Sequence, residues 1–195
     1  MNILIACEHS GTVRDAFIKK SHAAISCDLL PTDTPGPHYQ GDVRDILYLD
    51  WDMIIAHPDC TYITNSGVCH LHTDEARWKK LDSACEFFKL FIDHPCEKKV
   101  IENPIPHKYA VERIGQKYSQ IIHPWQHGHP EKKATCLWVF GLPNLNESNN
   151  VKKEMEILPK NQQQRIHYLP PSKDRWKIRS KTFDGIAEAM ADQWG

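Results

Sequence analysis

The stretch MNILIACEHSG, residues 1–11, decides the fold. Asn2 to Ala6 is a short apolar run without charge, which reads as a strand buried on both faces. It passes directly into the polar loop Cys7-Glu8-His9-Ser10-Gly11. A helix follows, with Val13, Ala16 and Phe17 on one face and Arg14, Lys19 and Lys20 expected outside. A buried strand, a tight polar loop and a helix open a βαβ unit, and such units build parallel sheets.

Working outward, the same alternation recurs. Ala23 to Cys27 predicts a second strand ending in Asp28, and Pro31 to Pro37, with three prolines and a glycine, predicts a loop. Gly41-Asp42-Val43 then precedes a short helical turn. Asp52 to Ala56 predicts a third strand, running into His57-Pro58-Asp59-Cys60-Thr61-Tyr62. From Asp74, a candidate N-cap, the three- and four-residue spacing of Leu81, Ala84, Cys85, Phe88, Phe91 and Ile92 predicts a long helix. Lys98 to Ile101 is a further strand, delivered into Glu102-Asn103-Pro104. Ser119–Ile122 and Thr135–Phe140 complete the strands. Thr182–Trp194 closes the chain as an amphipathic helix. The expected fold class is α/β, a mainly parallel, doubly wound sheet in three layers. Residues 1–195 are expected to form a single domain, with a polar insertion or loop around 144–173.

Four strands end in a short polar signature: CEHSG, Asp28, HPDC and ENP. Ligands of open α/β sheets bind beyond the carboxyl ends of the strands, so all four signatures point to one edge.

Bulk composition narrows the partners. Hydrophobic content of 41% and charged content of 25% are those of a globular domain, and a formal charge of −1 excludes a whole-protein nucleic-acid field. No apolar run is long enough to span a membrane, and the first residues lack the basic start of a signal peptide. Seven cysteines without a C-x-x-C pair indicate a reducing cytosol, hence a cytoplasmic protein. The spacing of Cys60, Cys69, His70 and His72 matches no common zinc pattern, so no metal is expected.

Two short motifs carry candidate chemistry. Cys60, just past a buried strand, is either a nucleophile or a half-buried loop cysteine, because thiolate attack needs an exposed, electropositive setting. Glu102-Asn103, at the end of another buried strand, can hold a ring nitrogen or an amine, or simply brace a loop. Between Arg165 and Lys181, six Lys or Arg face a single Asp, which makes Arg165, Arg175 and Arg179 candidate phosphate ligands.

Taken together, HPDC and ENP resemble the motifs of the cytosine carbon-5 DNA methyltransferases, and the chain is most similar to short phage-encoded proteins of that kind. The resemblance implies a Rossmann-like methyltransferase fold with S-adenosylmethionine as cofactor. By that likeness Cys60 would attack carbon 6 of the ring, while Glu102 and Asn103 would hold ring nitrogen 3 and the exocyclic amine. Ser10 and Gly11, with Cys7 and Glu8 beside them, resemble the cofactor loop. Asp28 resembles the partner of the ribose hydroxyls, Asp42 a residue near the adenine, and Pro58 a further pocket residue. Gly128-His129-Pro130-Glu131-Lys132-Lys133 resembles a later Gly-x-Pro-Gln-x-Arg motif. The substrate would be a cytosine-type base in DNA or a nucleotide, in a bacterial or phage-infected host cytosol. An oligomer is possible.

The chain departs from the family in three places. Val13 and Arg14 stand where further glycines occur, Asp59 stands where proline precedes the cysteine, and only about thirty polar residues could serve target recognition. These departures leave an alternative expectation open: a catalytically inactive nucleotide-binding protein of phage type, which sequesters a nucleotide signal or inhibits a host enzyme.

Overall fold

The computed structural model describes residues 1–195, the surroundings of Gly67 excepted. In chain order the elements are β1 (Asn2–Ala6), α1 (Thr12–Lys19), β2 (Ala23–Asp28), β3 (His38–Gln40), β4 (Met53–Ala56), α2 (Ala76–Ile92), β5 (Lys98–Pro104) and α3 (Lys108–Ile114). There follow β6 (Gln120–Ile122), β7 (Thr135–Phe140) and the short helices α4 (Lys152–Glu156), α5 (Lys160–Gln163), α6 (Arg165–Tyr168) and α7 (Arg175–Ser180). The last element is α8 (Asp184–Trp194).

The seven strands form one sheet in the order β3-β2-β1-β4-β5-β7-β6. All neighbours from β3 to β5 are parallel, and β7 runs antiparallel to both β5 and β6. This is the Rossmann-like methyltransferase fold, doubly wound and in three layers. The chain winds outward from β1 to β3, then returns to place β4 on the other side of β1. The topological switch point therefore lies between β1 and β4, and a crevice opens beyond their carboxyl ends.

Side-chain alternation explains the layers. Ile3, Ile5, Met53, Ile55, Val100 and Leu137 pack under α1 and α8. Leu4, Ala6, Ile54, Ala56, Ile101 and Trp138 pack under α2 and α3, where Phe88 meets Trp138 edge-on with ring centroids 4.9 Å apart. Each fully buried large apolar side chain stabilises the fold by about 1.5–3 kcal/mol.

Three features differ from the sequence expectation. β3 and α3 were not anticipated, since β3 has only three residues and depends on pairing with β2. β5 continues through Glu102, Asn103 and Pro104 because these pair with Leu137, Cys136 and Thr135 of β7. Glu102 is thus held within a strand, not on the loop after it.

The third difference is Arg14, expected outside but fully buried. Its guanidinium is taken up by the loop between β2 and β3. Nε donates to Asp15 at 2.8 Å, and Nη1 donates to the Ser26 and Thr32 hydroxyls, each at 3.1 Å. Nη2 donates to the carbonyl and hydroxyl of Thr34, at 3.1 and 2.8 Å. A Cβ on Gly11 would collide with Thr34 and with this guanidinium, and φ of +73° at Gly11 also disfavours a side chain. Arg14 therefore fills the space near Gly11 and pins residues 32–37 against α1.

Removing a buried, fully engaged charge leaves its partners without compensation, at a cost of about 3–5 kcal/mol. Arg14→Ala should lower unfolding stability by this amount in urea denaturation and expose residues 31–37 to limited proteolysis. A midpoint within experimental error of wild type would contradict the role given to Arg14.

Candidate functional site

Two adjoining cavities open at the carboxyl edge of β1, β2, β4 and β5. The inner one, of roughly 140 Å³, is lined among others by Glu8, Ser10, Cys60, Glu102, Asn103 and Lys133. The outer one, of roughly 360 Å³, is lined among others by Asp28, Leu29, Gly41, Asp42, Phe87 and Trp176. Cys7, His9, His57, Asp59 and Ser180 belong to both walls, so the two form one bipartite cleft.

The loop after β1 is stabilised by its own side chains. Cys7 takes a left-handed conformation, φ 59°, where the chain leaves the sheet. Glu8, buried, turns back over the start of α1: Oε1 accepts from the Ser10 hydroxyl at 3.0 Å and from the Val13 amide at 2.7 Å. Oε2 accepts from the Arg14 amide at 3.3 Å. A carboxylate satisfies these otherwise unpaired amides and complements the helix dipole. Those amides are consequently unavailable to a ligand. Gly11 lies behind the loop and lines neither cavity.

In the outer cavity, Asp28 accepts from the Leu30 amide through Oδ1 at 3.0 Å, and its Oδ2 lies 4.0 Å from His9 Nδ1. His9 also approaches Asp33, at 3.5 Å, and packs against the Trp176 ring with centroids 5.5 Å apart. Asp42 accepts from the side chain and backbone of Arg44, which together hold its carboxyl down at about 2.

The inner cavity is organised around Glu102. His57 Nδ1 lies 3.3 Å from Glu102 Oε2, and His57 Nε2 is buried without a partner. Burial pulls His57 down, but the bond and charge of Glu102, aided by Glu8, outweigh it and leave the imidazole above its ordinary value. Burial pushes Glu102 up, yet His57 and then Lys133 outweigh it and leave the carboxyl below its ordinary value. Asn103, fully buried, donates to the Pro58 carbonyl at 3.1 Å and ties the end of β5 to the loop after β4. Cys60 is half-buried. Burial first, then Asp59 and Glu102, push its thiol up to about 11, against which Lys133 acts weakly. At neutral pH the thiol is therefore protonated.

The structure brings together Cys7, Glu8, Ser10, Pro58, Cys60, Glu102 and Asn103 in the inner cavity, with Asp28 and Asp42 in the outer one. Arg179 also lines the inner cavity. Arg165 and Arg175 do not reach either one. Arg165 pairs with Glu131 at 2.8 Å beside a separate surface hollow, and Arg175 donates to the His167 carbonyl at 3.3 Å. His9, His57, Lys133 and Trp176 are wall residues that the site reading did not assign. Two of them had a sequence signal: His57 is the first residue of HPDC, and Lys133 ends the Gly128–Lys133 motif. Lys133 Nζ donates to the Arg179 carbonyl at 3.0 Å, which draws α7 towards the cleft. Among the described residues, no group of three or more His, Cys, Asp or Glu is placed to hold a metal ion.

Two outcomes test these electrostatics. Asp59 Oδ1 accepts from the amide and hydroxyl of Thr61, a turn that an amide oxygen would preserve. Asp59→Asn should therefore leave the loop intact and raise the iodoacetamide alkylation rate of Cys60 severalfold at pH 8; equal rates would remove Asp59 as a restraint. Glu102 lies below its ordinary value, so its contribution to stability is present at neutral pH and is lost as pH falls through its lowered value. His57 lies above its ordinary value, so its contribution is present in acid and is lost as pH rises through its raised value. Glu102→Gln should flatten the acid limb of the stability curve and lower the His57 titration in NMR, since burial and Lys133 are then opposed only by the smaller effect of Glu8. An unmoved His57 titration would refute the coupling.

No protein-family model and no curated protein sequence matches the chain. Its fold is similar to that of three solved structures. One is a prophage-encoded E. coli protein described as a DNA modification methyltransferase, with 13% identity over 83% of this chain and 49% of that one, at a TM-score of 0.47. Another is the Entamoeba histolytica methyltransferase EhMeth, with 14% identity over 77% of this chain and 57% of that one, at a TM-score of 0.49. The third is the S. pombe Dnmt2 methyltransferase, with 13% identity over 90% of this chain and 61% of that one, at a TM-score of 0.43. The chain spans about half to three-fifths of the length of these structures. At such identities and TM-scores the likeness carries no conclusion about activity, substrate or partners.

Proposed function

We propose that this chain is an S-adenosylmethionine-dependent, methyltransferase-like protein acting on a pyrimidine base, cytosine by the resemblance set out above, in DNA or in a nucleotide. The observation that supports this reading is the bipartite cleft at the switch point. Its outer part presents two carboxylates and its inner part a thiol beside a carboxylate, across a shared wall. The outer cavity has the lining for an adenosyl group: Asp28 to accept from ribose hydroxyls, Asp42 near the ring, and Leu29, Val43 and Phe87 as apolar cover. When bound, S-adenosylmethionine supplies an activated methyl group. Cys60 is the residue to add to the pyrimidine ring, and Glu102 holds the ring edge. Lys133 and Arg179 give the inner cavity positive charge for a phosphate. The small recognition segment favours a nucleotide or single-stranded substrate over a duplex. No helix among the described residues is long and apolar enough to cross a membrane.

One observation favours a second reading. The Cys60 thiol lies far above neutrality, as suits a catalytically inactive nucleotide-binding protein that sequesters a nucleotide signal or inhibits a host enzyme.

Calorimetry with S-adenosylmethionine tests the first half of the proposal. Wild type should bind, and Asp28→Ala should bind more weakly by about 1.5–3 kcal/mol, the worth of hydrogen bonds to a charged group. Absence of heat at millimolar ligand would reject the cofactor. Labelled methyl transfer tests the second half. Cys60→Ala should abolish transfer while leaving cofactor affinity unchanged, because the attack is made only during reaction. A nucleotide fluorinated at carbon 5 should trap wild type covalently. Cofactor binding with neither transfer nor adduct would favour the inactive binder.

A further inference from the structure

α7 reaches both halves of the cleft. Trp176 lines the outer cavity, Arg179 lines the inner one, and Ser180 lines both. Residues three and four apart share one side of a helix, so Trp176, Arg179 and Ser180 make up the cleft-facing side of α7. At a rise of about 1.5 Å per residue, Trp176 and Ser180 stand about 6 Å apart along the axis, so little more than one helical turn serves both cavities.

The same helix is lightly held. None of its residues is buried. Among the described residues, its hydrogen bonds, ion pairs and ring contacts outside residues 165–181 are three. The Trp176 ring packs against His9 at 5.5 Å, the Arg179 carbonyl accepts from Lys133 Nζ at 3.0 Å, and Lys177 faces Asp33 at 3.6 Å. The Lys177–Asp33 pair is open to solvent on both sides, and such pairs contribute little. The other two ties go to His9 and Lys133, which line the cleft themselves. An element with no buried anchor lies at the low end of local stability, and what fills the cleft decides how firmly it docks. Trp176 is 48% exposed beside a cavity whose other walls include Leu29, Val43 and Phe87. An indole left half in water there gains burial and ring packing from any flat ring that enters.

We propose that Trp176 is a positioning residue that couples the two cavities: a flat-ringed ligand in the outer cavity packs against its indole, docks α7, and so sets Arg179 and Ser180 for the ligand of the inner cavity. The coupling rests on the reading of the outer cavity as an adenosyl site and adds that the two halves of the cleft fill cooperatively. The ligand that docks α7 spares the second ligand the ordering of that helix. By linkage the assistance is mutual. Docking of α7 also fixes Lys133 through the Arg179 carbonyl, so both cations of the inner cavity respond to the outer one.

The test uses S-adenosylhomocysteine and dCMP as probes on the full chain. Calorimetry measures each probe alone and dCMP again with saturating S-adenosylhomocysteine; trypsin reports cleavage after Lys177, Arg179 and Lys181. S-adenosylhomocysteine should slow cleavage at these sites severalfold, and dCMP should bind about fivefold or more tightly in its presence. Trp176→Ala should lose both the protection and the enhancement, while Trp176→Phe, which keeps a flat ring, should retain most of each. Binding should also change the indole emission of wild type more than that of Trp176→Phe, which a merely structural tryptophan would not show. If S-adenosylhomocysteine binds but leaves either cleavage or dCMP affinity unchanged, the coupling is overturned and the adenosyl reading stands. Protection and enhancement that persist in Trp176→Ala, shown folded by thermal melt, would overturn the role of Trp176. Failure of dCMP to bind under either condition would remove the inner ligand and the coupling together. Failure of S-adenosylhomocysteine to bind would overturn the adenosyl reading, and the coupling with it.

Discussion

The central constraint is the burial of β1 on every side. It pairs with β2 and β4, and its two faces are covered by different helical layers. A strand so enclosed can carry no polar side chain from Ile3 to Ala6, since a buried unpaired polar group costs several times the net gain of a hydrogen bond. Polar chemistry is displaced to where the strand ends. The same holds for β4, whose four residues are all buried. Because both strands are parallel, their ends lie side by side, and the loops after them meet. The cleft is a consequence of that burial, with the residues of CEHSG and HPDC as its natural walls.

Two buried charges then define the loop after β1. Glu8 caps α1 from inside, and Arg14 fills the volume between Gly11 and the loop after β2. In an open glycine loop the helix amides are free to meet a ligand. Here they are satisfied by the protein itself, and the loop is rigid before any ligand arrives. Recognition must then come from side chains that still face the cleft, notably Asp28 and Asp42 in the outer cavity and Lys133 and Arg179 in the inner one.

Glu102 illustrates how a single carboxylate imposes opposing demands on one site. It holds His57 above its ordinary value and is held below its own, so the two stabilise each other as an ion pair. The same charge, together with Asp59, works against ionisation of the nearby Cys60 thiol. A group that suits ring recognition thereby restrains the nucleophile. Lys133 lowers all three groups, which favours the charged forms of Glu102 and Cys60 and the neutral form of His57. Any ligand that brings its own charge into this cavity would shift that balance.

The sequence by itself determined the parallel sheet and its working edge. Residues 2–6, 23–27 and 53–56 are uninterrupted or nearly uninterrupted apolar runs, Val100 and Ile101 follow two lysines at the start of β5, and the polar residues that end these strands can only be placed at one rim. Local periodicity carries that information, as it does for α2 and α8. Tertiary structure alone decided the rest. Arg14 has the sequence profile of an exposed helical lysine or arginine, and its burial depends on acceptors from residues 32–37, more than fifteen positions away. The extension of β5 through Glu102, Asn103 and Pro104 depends on β7, which arrives over thirty residues later and runs antiparallel. The pairing of His57 with Glu102 spans 45 positions. Such partners are set by long-range packing and by hydrogen-bond accounting in a buried space, and neither leaves a periodic trace in the chain.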